Sequence, residues 1–78
     1  MKITIESTDK MVELTTVQGS RVPARIWEGV TESGIPVHAY ITRIAVKDTM
    51  PLQEFERELM ECRPASAEIQ AIPMRLIL

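Results

Sequence analysis

The residue types that carry most side-chain chemistry are nearly missing from this 78-residue chain: Cys62 is its only cysteine and His38 its only histidine. One cysteine excludes an internal disulfide. One thiol and one imidazole cannot supply the three or four soft ligands of a structural zinc site. Aromatic residues are equally few, with one Phe, one Trp and one Tyr, so the core must be built from Ile, Leu, Val and Met. A chain of this size buries only about 60% of its unfolded surface, which leaves little room for an enclosed substrate cavity. The three glycines, Gly19, Gly29 and Gly34, are far apart, so no glycine-rich phosphate loop is present and no cofactor is expected. No apolar run approaches the roughly 18 residues of a membrane span. Met1-Lys2-Ile3-Thr4-Ile5-Glu6 has neither the basic stretch nor the apolar run of a signal peptide. These features predict a soluble, cytoplasmic protein with no membrane partner.

What is present is an uneven charge distribution around a net of −2. Residues 1–47 hold six basic and five acidic groups, and residues 48–63 hold two basic and five acidic ones. No basic run marks a phosphate-binding face, which makes nucleic acid an unlikely partner.

Lys2–Glu6 and Met11–Val17 are rich in Ile, Val and Thr, and Ser7-Thr8-Asp9-Lys10 separates them, which predicts a hairpin of two short strands. Val22–Val30 and Ile35–Val46 flank Thr31-Glu32-Ser33-Gly34, whose glycine suits the positive φ of a hairpin loop. Pro36 has no amide proton and belongs at a strand start or on an unpaired edge, and Pro23 makes the same case at the far end of the first arm. Gly29 marks a bulge or a crossing point. Leu52, Phe55, Leu59 and Cys62 recur at helical spacing, which predicts an amphipathic helix over Leu52–Arg63. Asp48 or Thr49 is its expected N-cap, Pro51 falls in its first turn and Pro64 ends it. Ser66–Ile72 fits helix or strand, and Met74–Leu78 reads as a closing strand. The expected fold is a single α+β domain over residues 1–78: an antiparallel β-sheet of four to six strands with one amphipathic helix packed on one face.

Each candidate constellation has an ordinary structural counterpart. Cys62 sits on the apolar stripe of the expected helix and reads as a core cysteine. A Cys62–His38 dyad would need the helix to cross the face that His38 occupies, whereas alternation sets His38 opposite Val37, Ala39 and Ile41. Glu54, Glu58 and Glu61 share one helix side, and Glu54 and Glu61 can each pair with Arg57 on a solvated face. With Asp48 and Glu56 they also form an acidic stretch suited to a basic partner. No catalytic residue or metal ligand emerges, and the chain reads as a non-enzyme.

The outward face of the long hairpin is more informative. If Val37, Ala39 and Ile41 face the helix, His38 and Tyr40 face away, and Arg25 and Trp27 join them from the other arm. With Arg43 these residues form the expected protein-interaction site, since Trp, Tyr and Arg are the anchors that dominate protein interfaces. The ordinary reading is that Trp27 and Tyr40 wrap a second small core under a curved sheet. An alternative is a small nucleic-acid-associated regulator using Arg21, Arg25, Arg43 and Lys47. The apolar end Met74-Arg75-Leu76-Ile77-Leu78 suggests a tail tied into the sheet or into another subunit, and a homodimer would add burial that so short a chain lacks.

Val22-Pro23-Ala24-Arg25-Ile26-Trp27-Glu28-Gly29, followed by the hairpin arm Gly34–Val46, resembles small proteins encoded by bacteriophages and prophages of Gram-negative bacteria, over residues 1–60. The resemblance implies a compact binding protein in the host cytoplasm. Its partner would be a host or phage protein, and some proteins of this kind block host factors by steric occlusion. It assigns a role to no individual residue.

Overall fold

The computed structural model describes residues 1–47 and 50–77. Its elements are β1 (Ile3–Thr15), β2 (Arg21–Thr31), β3 (Pro36–Ile41), α1 (Leu52–Leu59), α2 (Ala67–Gln70) and β4 (Arg75–Ile77). The four strands form one sheet in the order β3-β2-β1-β4, with two helices packed alongside it. β1–β2 and β2–β3 are antiparallel, whereas β4 joins β1 in parallel, so the sheet is mixed where the sequence suggests a wholly antiparallel one.

Both hairpins close by the same device. Thr16 and Thr31 each open a three-residue loop whose last residue is a glycine at positive φ, Gly19 at 87° and Gly34 at 88°. The amides of Thr16 and Thr31 donate to the carbonyls of Ser20 and Ile35, at 2.8 and 2.9 Å. Each threonine hydroxyl then accepts from the same partner residue's amide, at 3.1 Å in both loops. Without a Cβ, glycine reaches this conformation at little steric cost.

The expected first hairpin is absent, because β1 runs unbroken through Ser7-Thr8-Asp9-Lys10. From Ser7 to Met11 the chain takes four steps while β2 takes two, from Trp27 to Arg25, so β1 accommodates two extra residues as a bulge. No residue here is a glycine able to reverse the chain cheaply, and the side chains satisfy the backbone instead. Thr8 is fully buried; its hydroxyl donates to the Ile26 carbonyl at 2.6 Å and accepts from the Lys10 amide at 3.3 Å.

The bulge also receives the chain that returns after α1. Arg63 bonds through its amide to Ser7 and through its carbonyl to Asp9, at 3.1 and 3.0 Å, and the Asp9 carboxylate accepts from the Ala65 amide at 3.0 Å. This capture explains why α1 ends at Leu59 and does not reach Arg63 as its spacing suggests. Cys62 consequently leaves the helix and is exposed, which corrects its assignment to the core. Pro51 is the N-cap residue of α1, and the expected caps Asp48 and Thr49 lie outside the described residues.

The ambiguous stretch 66–72 supplies the helix that closes the core. Ser66 caps α2 by accepting the Ile69 amide, and Ile69 is the buried residue of that helix. It packs with Val12, Leu14, Ala24 and Ile26 on one sheet face, flanked by Ala65, Ile72 and Leu76. Glu28 holds this segment in place. Its carboxylate accepts from the Ser66 hydroxyl at 2.6 Å, the Ser66 amide at 3.1 Å and the Arg63 guanidinium at 3.3 Å. These donors, with the Ser66 hydroxyl foremost, keep its carboxyl below the usual value of 4.5 against the opposing effect of burial. By contrast α1 has no buried residue; Phe55 alone is half-buried.

β3 stops at Ile41, five residues short of the expected Val46, and the cause lies in β2. The Thr31 amide points toward β3, so alternation aims the amides of Gly29, Trp27 and Arg25 the same way. The next position that would donate is Pro23, which has no amide proton, and the ladder ends there. Gly29 is no bulge. β1 passes so closely that an added Cβ would meet the Thr4 carbonyl oxygen and lie 2.7 Å from the Ile5 Cα.

Candidate functional site

Directly opposed residues in neighbouring strands project from the same face of a sheet. Trp27 opposes Ala39 and Arg25 opposes Ile41, whereas Tyr40 opposes Ile26 and His38 opposes Glu28. The sheet therefore separates the residues that the sequence suggests act together. Arg25 and Trp27 lie on the face away from the core, and His38 and Tyr40 project from the core-side face at its outer strand. The cause is one residue in the hairpin loop. Thr31 pairs with Ile35, leaving three loop residues where four are expected, and a one-residue shift of register moves every side chain to the opposite face.

On the face away from the core, Trp27 is half-buried and lines hollows that Glu58 and Leu59 of α1 also border. Met11, Trp27 and Ile41 form the floor of an open groove of about 400 Å³. Pro23 borders it at one end, Leu59 of α1 forms one wall, and Thr42-Arg43-Ile44, which leaves β3 over this face, forms the other. Among the described residues, the charged ones lining it are Arg25 and Arg43, and no carboxylate joins them. Arg25 is positioned by the bulge, its Nη1 donating to the Thr8 carbonyl at 2.6 Å. Arg43 is exposed, with no hydrogen bond or ion pair among the described residues. Met11, Ile44, Leu52 and Leu59 are each more than a third exposed, so this apolar surface is only partly covered by α1.

On the opposite face, His38 and Tyr40 form a small polar pair. The imidazole Nε2 lies 3.2 Å from the Tyr40 hydroxyl, and the rings meet edge to face with centroids 5.4 Å apart. A hollow beside them is lined by Glu6, Glu28, Arg63 and Glu68 as well as His38. The Glu28 carboxylate there is already engaged by three donors and its pKa is lowered, which suits an anchor and not a proton acceptor near neutral pH. Cys62 borders a separate hollow with Ser7 and Trp27, across the sheet from His38, so these two residues do not meet. No cluster of three or more His, Cys, Asp or Glu able to hold a metal occurs among the described residues. Nor is any helix among them long and apolar enough to cross a membrane.

The basic residues of the nucleic-acid alternative are not equally available. Arg21 lies 3.8 Å from Glu13 and Arg25 is bonded to the bulge, leaving Arg43 and Lys47 without ion pairs among the described residues. Of the acidic stretch, Glu54 pairs with Arg57 at 3.7 Å, both well exposed, a contact of little energetic weight.

Met11, Pro23 and Leu59 belong to the groove, although nothing in the sequence marks them as site residues. Only the register of β1 on β2, set by the bulge, brings Met11 beside Arg25. No protein-family model matches the chain, and neither the curated proteins nor the solved structures contain a match to it.

Proposed function

We propose that this chain is a non-enzymatic protein-binding module whose contact surface is the groove over Met11, Trp27 and Ile41. One observation carries the reading: a partly covered apolar groove whose charged lining, among the described residues, is Arg25 and Arg43. An apolar floor rewards burial of a partner's side chains, and the guanidinium groups favour a partner that brings carboxylates to the rim. The fitting ligand is a protein segment with apolar anchors flanked by Asp or Glu. Binding there would act by steric occlusion, in keeping with the resemblance to phage-encoded proteins that block host factors.

Selection from a displayed random peptide library, on the immobilised protein, tests the reading. The expected result is a set of acidic, apolar sequences that lose binding to Trp27→Ala and to Arg43→Glu. Both substitutions alter residues outside the buried core, and circular dichroism checks that each variant remains folded. No enrichment, or enrichment indifferent to both substitutions, would overturn it.

A further inference from the structure

β3 is an edge strand, and no strand among the described residues pairs with its outer side. Since Trp27 and Arg25 direct their backbone groups toward Ala39 and Ile41, alternation turns those of Pro36, His38 and Tyr40 away from β2. None of these outward groups has a backbone partner among the described residues. Edge strands are ordinarily blunted by charged side chains, prolines or bulges. Here the run Pro36-Val37-His38-Ala39-Tyr40-Ile41 has no carboxylate, lysine or arginine, and its proline stands at the first position, clear of the centre. The opposite edge differs: β4 has three residues and carries Arg75, 3.9 Å from Glu13.

We infer that the occupant of this edge is a second copy of the same chain, with β3 pairing antiparallel to β3 of the other copy about a two-fold axis through Ala39. That register makes His38 and Tyr40 of one copy exchange both backbone hydrogen bonds with Tyr40 and His38 of the other. The Pro36 carbonyl is left facing the outward Thr42 amide, so the missing proline donor falls at the periphery. The cross-strand neighbours match as well. Ala39 meets Ala39 at the close, non-hydrogen-bonded position, where Cα atoms approach to about 4.5 Å and small side chains fit. Val37 meets Ile41 on the apolar face, imidazole meets phenol on the other, and no like charges are opposed. The result is one continuous eight-stranded sheet, with a groove on each half. This pairing rests on the edge alone and does not depend on what the groove binds.

Two measurements test it. Sedimentation of the intact chain is expected to give a dimer and Tyr40→Pro a monomer, because proline removes an outward donor while the ladder to β2 keeps all of its bonds. A Tyr40→Pro variant that sediments as a dimer with an unchanged circular dichroism spectrum would overturn the proposal, as would a monomeric parent chain. Should Tyr40→Pro fail to fold, disulfide trapping decides. In a Cys62→Ser background, Ala39→Cys should oxidise readily to a covalent dimer, since its Cα separation falls in the disulfide range of about 4.4–6.8 Å. Val37→Cys, opposed by Ile41 and not by itself, should not. Equal trapping at both positions, or none at Ala39→Cys, would contradict the register.

Discussion

Replacing Glu28 by Gln removes an ionised acceptor while conserving shape, and the consequences can be worked from its contacts. The carboxylate holds the Ser66 hydroxyl and amide and the Arg63 guanidinium, and through Ser66 it seats the helix that delivers Ile69 to the core. Hydrogen bonds to a charged group contribute about 1.5–3 kcal/mol. The Glu28 side chain is 14% exposed, but Arg63 is 47% exposed and its ion pair is screened, which favours the lower part of that range. A loss of about 2 kcal/mol should lower the melting temperature by roughly 10 °C in a domain this short. The effect must also depend on pH. Because folding depresses the Glu28 pKa, its stabilisation is fully present above the unfolded value near 4.5 and is lost as pH falls through the folded value. Thermal unfolding of both proteins across this range should therefore show a gap at pH 7 that narrows steadily below pH 4.5. A gap independent of pH, or none at pH 7, would refute this role of the Glu28 carboxylate.

Other perturbations have equally definite outcomes. Thr8→Val keeps the volume but strands the buried Ile26 carbonyl, and should cost about 2 kcal/mol in denaturant unfolding. Gly29→Ala forces a Cβ against the Thr4 backbone and should cost about 3 kcal/mol, with little recovery because the obstacle is main chain. Cys62 should react with a maleimide in the native state as fast as in denaturant, because it is exposed; protection from the reagent would restore it to the core.

The sequence and the structure part company at identifiable places. Periodicity and turn chemistry are local, so the α+β class, the glycine of the long hairpin and the edge position of Pro36 were legible. Alternation within β3 was legible too: Val37, Ala39 and Ile41 do share one face. What lay beyond reach was register between strands, which depends on whether Thr31 opens the loop or belongs to it. That single residue decides whether Trp27 sits with Tyr40 or across the sheet from it. Ser7-Thr8-Asp9-Lys10 reads as a turn by composition, yet its polar side chains bond to residues far along the chain, up to Gln70. Periodicity gives α1 and leaves 66–72 open between helix and strand, but which helix closes the core is not local information. α1 has the clearer amphipathic pattern, but α2 occupies the core because Glu28 and the bulge capture the segment before it.

Trp27 is the chain's only tryptophan and lies on the groove floor, so its fluorescence reports on the face away from the core. The most direct test of the account is a titration of the intact protein with a selected acidic, apolar peptide while indole emission is recorded. Saturable blue-shifted emission, abolished by Arg43→Glu, is the predicted result. A peptide that binds, as shown by calorimetry, without altering Trp27 emission would place the contact elsewhere and contradict the groove as the binding surface.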